Sequence, residues 1–96
     1  MHMVKSPQYL QDIPNVGPAT EADLHFLGIK SPVELIGQDP VEMYFKLNEV
    51  KGERQDPCVL DVFISAVRFM EGYPPKKWWE YTPERKKLLQ EYLNKR

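Results

Sequence analysis

Leu10-Gln11-Asp12-Ile13-Pro14-Asn15-Val16-Gly17-Pro18-Ala19-Thr20-Glu21-Ala22-Asp23-Leu24 is the stretch on which the fold turns. It reads as two short helices joined by a sharp hairpin. Pro14 cannot continue the first helix, because it has no N–H and its ring clashes with the preceding turn. Asn15 and Gly17 are residue types that tolerate positive φ, so one of them is expected there. Pro18 suits the first position of a new helix, where its missing N–H costs nothing. The loop therefore leaves backbone N–H groups at a fresh helix N-terminus, a place that suits an anion such as phosphate. On this reading the amides from Val16 to Thr20 hold one phosphate and the Thr20 hydroxyl adds a donor. A β-branched residue at Gly17 is expected to spoil the turn.

Outward from the hairpin, proline marks the other helix starts. Ser6-Pro7, Ser31-Pro32, Asp39-Pro40, Asp56-Pro57 and Thr82-Pro83 each pair an N-cap residue type with proline. Ser31 with Glu34, and Asp39 with Glu42, have capping-box spacing. The spacing predicts helices over 7–13, 18–27, 32–36, 40–50, 57–71 and 83–94, with Gly28, Gly37, Gly52 and Gly72 as stops. No alternating β-like run occurs, so the fold class is all-α: a compact domain of five to six helices. The 57–71 helix should be central. Val59, Val62, Phe63, Ala66, Val67 and Met70 form its apolar stripe, while Asp61, Ser65 and Arg68 read as a narrow wet face. Ile13, Leu24, Leu27 and Ile29 join the expected core. The connector Val50–Pro57 reads as a degenerate second hairpin. Residues 7–72 form the core, and 73–96 form a Trp-containing loop and a basic C-terminal helix appended to it.

Ninety-six residues suffice for one domain. The net charge of −1 hides an asymmetry. Residues 1–75 hold six basic and eleven acidic residues, whereas 76–96 hold seven basic and three acidic. Around the hairpin, Asp12, Glu21 and Asp23 face only Lys30, a poor footprint for duplex binding. Lys30, Arg85 and Lys86, with Lys87 beside them, are the candidate phosphate-charge residues. No apolar run approaches the roughly 18 residues of a membrane span, and no apolar leader precedes the first helix. The expectation is a cytoplasmic protein with no membrane partner.

Catalytic and metal signatures are absent from the pattern. His2 and His25 are too far apart to suggest a metal site, and no cofactor motif occurs. Cys58 is the single cysteine and reads as a small buried hydrophobe. The second unusual run is Tyr73-Pro74-Pro75-Lys76-Lys77-Trp78-Trp79-Glu80-Tyr81. Neighbours on a helix lie about 100° apart, so Trp78 and Trp79 cannot both enter one core from a regular helix. They either clamp the loop to the body or offer a partner site. With their flanking lysines they can also stack single-stranded bases.

The 10–36 stretch resembles a helix-hairpin-helix motif, a backbone-phosphate-binding unit. Ile13, Pro14, Val16, Gly17, Ala22 and Leu24 match its pattern, and Asn15 stands where the motif has its first glycine. More widely, Asp56-Pro57-Cys58-Val59-Leu60-Asp61-Val62-Phe63, Trp78-Trp79 and Thr82-Pro83-Glu84-Arg85-Lys86 resemble a small bacterial "pathogenicity locus" family, some of whose members carry a mitomycin-resistance label. The resemblance implies a SAM-domain-like arrangement of two hairpins. With no catalytic constellation in the pattern, the expected function is a non-catalytic module that contacts DNA weakly and without sequence preference, through the hairpin at Asn15, Val16, Gly17, Ala19 and Thr20 and the charges of Lys30, Arg85 and Lys86. The alternative is an adapter that binds an unidentified protein through Trp78 and Trp79.

Overall fold

The computed structural model describes residues 7–95. Within that range the chain is all-helical and compact, with no strand among the described residues. It contains four α-helices: α1 (Pro18–Phe26), α2 (Pro40–Lys51), α3 (Pro57–Met70) and α4 (Thr82–Asn94). Three 3₁₀ turns separate them: Leu10–Asp12, Pro32–Leu35 and Trp78–Tyr81. Two segments expected as helices are thus single tight turns. The first is stopped at once by Ile13, which is extended at φ −79°, ψ 131°. The third is held to four residues by the extended backbone of Ile36 before Gly37. The Ser6 cap and His2 lie outside the described residues.

Five of the six proline starts read from the sequence are where they were expected, but Pro7 begins no helix and the first turn opens only at Leu10. Proline occupies the first turn of all four α-helices and of the Pro32–Leu35 turn. Asp39 accepts from the Val41 amide at 2.9 Å, and Asp56 accepts from the Cys58 amide at 2.8 Å. Both carboxylates satisfy amides that the helix itself cannot. Glu34 reaches back to the Ser31 amide at 3.0 Å, and this hydrogen bonding, led by the Ser31 hydroxyl, pulls its carboxyl below the usual range.

α3 is the centre of the molecule. Leu60, Phe63, Ile64, Ala66 and Val67 are completely buried, and α2 contributes Val41, Met43, Tyr44 and Leu47. Ile13, Val16, Leu24 and Ile29 close the core from the hairpin side. Val59, Met70 and Leu27 only partly join it. The supposed wet face of α3 is covered. Asp61 is fully buried and Ser65 nearly so, because other segments supply polar partners to both. Thr82 is not the cap expected of it: its hydroxyl donates to Asp61 Oδ2 at 2.6 Å. Arg85 Nε donates to the other Asp61 oxygen at 2.8 Å.

That pair also corrects the reading of the last helix as an appendage. α4 packs against both α2 and α3, and Tyr92 stacks on Phe45 with ring centroids 4.8 Å apart. Between α2 and α3 the connector is fastened by side chains. Asn48 Oδ1 accepts from the Gln55 amide at 2.8 Å, and the Tyr44 hydroxyl donates to the Gln55 carbonyl.

Candidate nucleic-acid interface

The turn before α1 has the sharp reversal that its sequence requires. Asn15 sits at φ 73°, the single non-glycine residue with positive φ among those described. The Val16 amide donates to the Ile13 carbonyl at 3.1 Å and closes the turn. Gly17 then caps α1 at φ −107°, ψ −170°, and Glu21 supplies the first helical amide, donating to the Gly17 carbonyl at 2.9 Å. The Ala19 and Thr20 amides precede it, so no carbonyl lies one turn back for them. Two expectations change here. Val16 is spent on the turn and buried, so its amide is not a phosphate donor. Gly17 is extended, and a Cβ built on it meets nothing within 4 Å, so a side chain there does not break the turn.

Asn15 does more than tolerate its backbone angle. Its Nδ2 donates to Ser65 Oγ on α3 and to the Lys76 carbonyl, each at 2.7 Å. This joins the two features that the sequence presents as separate, the hairpin and the tryptophan loop. α3 ends as Gly72 turns to φ 102°, a conformation that costs glycine little, while the Tyr73 amide returns to the Arg68 carbonyl at 3.1 Å. Pro74 and Pro75 stiffen the next step and deliver Lys76 to Asn15.

The loop then folds into the Trp78–Tyr81 turn. Glu80 accepts from the Lys77 amide at 3.0 Å, and Tyr81 points into the core. Burial pushes its hydroxyl pKa up. Trp78 is half-buried and packs edge-on against Trp79, with centroids 5.5 Å apart. Trp79 itself is 53% exposed. Lys77 Nζ lies 5.2 Å from the Trp79 ring centre, and Lys76 Nζ lies 5.2 Å from that of Tyr81.

The acidic neighbours of the hairpin are engaged. Asp12 caps the preceding turn by accepting from the Gln8 and Tyr9 amides. Glu21 accepts from Gln11 Nε2 at 2.7 Å. Asp23 is ion-paired with Lys51 at 2.9 Å, which cancels one negative charge. The basic candidates divide. Lys30 is exposed but lies beyond the far end of α1, about 13 Å along a nine-residue helix. Arg85 is tied to Asp61 with its side chain 16% exposed, so it serves the core. Lys86, the next residue, is exposed. The loop meets the hairpin through the Lys76 carbonyl, while the Lys76 and Lys77 ammonium groups lie over the Tyr81 and Trp79 rings. The signal for this loop was the Lys-Lys-Trp-Trp run.

The remaining chemistry is sparse. Cys58 is exposed rather than buried, and its hydrogen bond to the Asp56 carboxylate raises the thiol pKa, the opposite of an activated nucleophile. His25 is exposed on α1. Among the described residues no group of three or more His, Cys, Asp or Glu could hold a metal ion. No helix among them is long and apolar enough to cross a membrane.

Comparison with known proteins fits this frame. The chain is 44% identical over 80 residues to the mitomycin resistance protein McrB of Streptomyces lavendulae, an alignment covering 83% of this chain and 76% of that protein. No solved structure matches it. A model of the Pathogenicity locus family matches residues 4–87, nearly the whole chain, and the protein belongs to that family.

Proposed function

We propose that the protein is a non-catalytic nucleic-acid-binding module that grips the phosphate backbone without reading sequence, and that residues 10–26 serve as a helix-hairpin-helix motif. The observation that carries this reading is the α1 N-terminus behind the Asn15 turn, whose Ala19 and Thr20 amides lack helical partners, with Asn15 tying the backbone of the lysine- and tryptophan-bearing loop to that same turn at the Lys76 carbonyl. Oriented amides and a positive helix end favour an anion, and backbone contact of this kind positions without specifying. The α2–α3 connector would then be the degenerate second hairpin of a SAM-domain-like fold. The name of the Streptomyces relative extends the proposal to a part in mitomycin resistance. The second reading is a protein adapter, favoured by the 53% exposure of Trp79, since tryptophan is enriched at interface hot spots.

The test is fluorescence anisotropy with labelled DNA at two salt concentrations. Few phosphates can be neutralised, so the log–log salt slope should be shallow, about −2 to −4. Ala19→Asp adds a negative charge in the first turn of α1. That change favours the helix but repels phosphate. A stable variant that no longer binds supports the reading. Absence of binding by the wild type at low salt, with capture of a protein partner lost in Trp79→Ala, turns the assignment to the adapter.

A further inference from the structure

We infer that the nucleic acid is taken single-stranded, with a base stacked on Trp79 in place of the Lys77 ammonium that lies 5.2 Å from its ring centre, and with Lys77 and Lys76 taking the neighbouring phosphate. This inference rests on the backbone-binding reading above and specifies its ligand. Three observations carry it.

The first is the presentation of Trp79. A half-exposed indole on a floppy loop would be unremarkable, but this one is held on both sides. The Glu80 carboxylate accepts from the Lys77 amide and fixes the turn, Trp78 buttresses the ring edge-on, and Asn15 pins the loop at the Lys76 carbonyl. A preorganised aromatic face loses little entropy on binding.

The second is charge. The loop 73–81 carries Lys76 and Lys77 against Glu80, and Arg85 is already committed to Asp61. Duplex affinity comes mainly from phosphate neutralisation, and this surface has too few free cations to supply it. Stacking does not depend on charge and accepts any base, because every base has a π-face.

The third is access. In a duplex the base faces are covered by their neighbours, so Trp79 would have to open the stack. A single strand offers its bases directly. The adjacent lysines then meet the phosphate that follows the stacked base.

The experiment titrates the full chain with an oligothymidylate and with a duplex of the same length, following both anisotropy and intrinsic tryptophan fluorescence. The single strand should bind about tenfold or more tightly than the duplex, with quenching of the indole. Trp79→Ala should weaken single-strand binding by about tenfold, the size expected for one stacked base, and leave duplex binding unchanged. Trp79→Phe should recover most of the loss. Circular dichroism of Trp79→Ala should match the wild type, since the ring is largely outside the core. Equal or tighter duplex binding, with Trp79→Ala indistinguishable from wild type, overturns the single-strand inference and leaves the backbone-binding reading standing. No binding of either nucleic acid at low salt overturns both. Single-strand binding that needs Trp79 but survives Ala19→Asp keeps the stacking site and removes the hairpin amides from it.

Discussion

Asn15 holds Lys76 across a gap of sixty-one positions in the chain, its Nδ2 lying 2.7 Å from the lysine carbonyl. The same amide group spends its second N–H on Ser65 Oγ. One side chain thereby fixes the hairpin turn, the central helix and the basic aromatic loop relative to each other. Its backbone is also left-handed, a region that asparagine enters more readily than most residues.

Asn15→Gly separates these roles. Glycine keeps the turn and relieves the left-handed backbone, but removes both hydrogen bonds. With each worth roughly 0.5–1.5 kcal/mol, the net loss of stability in denaturant titration should be about 1–2 kcal/mol. Asn15→Val, which adds β-branching at positive φ, should cost more. An Asn15→Gly variant as stable as the wild type would show that the side-chain ties contribute nothing.

Asp61 and Arg85 make the second testable pair. The carboxylate is enclosed and the guanidinium nearly so, so removing either partner leaves a buried charge without its counter-ion. Arg85→Met should destabilise by about 3–5 kcal/mol and loosen α4, as read by amide hydrogen exchange. Lys86→Glu, one residue along, should leave stability almost unchanged. A loss below about 1 kcal/mol for Arg85→Met would mean that the pair behaves as a surface salt bridge.

Phe63 is the largest fully buried side chain and stands on the helix that packs against α2, α4 and the Pro32–Leu35 and Trp78–Tyr81 turns. Phe63→Ala should cost about 3–5 kcal/mol. Val59→Ala on the same helix is only partly buried and should cost clearly less. A reversed order would place the core on the other side of α3.

Acid sensitivity should trace to the caps. Backbone and side-chain hydrogen bonds at Cys58 lower the Asp56 carboxyl pKa, and Ser31 with the Lys30 amide lowers that of Glu34. A carboxyl depressed in the folded state contributes its stability above its unfolded pKa. It loses that contribution as pH falls through the folded value. The Tm should therefore fall on acidification below the ordinary carboxylate range, and Asp56→Asn with Glu34→Gln should flatten that limb. An unchanged acid limb in the double variant would assign the pH dependence to other groups.

Local chemistry was legible without coordinates. Proline after a capping residue sets a helix start at five of its six places, Pro7 being the exception, because the missing N–H and the fixed φ act within one or two residues. The starts at Pro18, Pro40, Pro57 and Pro83 and the positive φ at Asn15 follow from such short-range terms, as does the central place of the apolar 57–70 segment. Segment length was less legible. Residues 7–13 and 32–36 carry helical signals but close as 3₁₀ turns, since a nucleus this short gains too few hydrogen bonds to propagate.

What only the tertiary structure decided is which polar groups pair. Asp61 and Ser65 look like a solvent face because helical periodicity counts polarity and not partners. Burial became possible when Thr82 and Arg85 arrived from α4 and Asn15 from the hairpin, each bringing a hydrogen bond that offsets desolvation. In the same way Asp23 looks like an obstacle to phosphate until Lys51 meets it, and Arg85 looks like a phosphate ligand until Asp61 claims it. The tryptophan loop reaches the hairpin through the Asn15–Lys76 contact, sixty-one positions long, which no local pattern encodes. Sequence set the elements through interactions a few residues apart, and the fold assigned the charges through distances that exist only once those elements have packed.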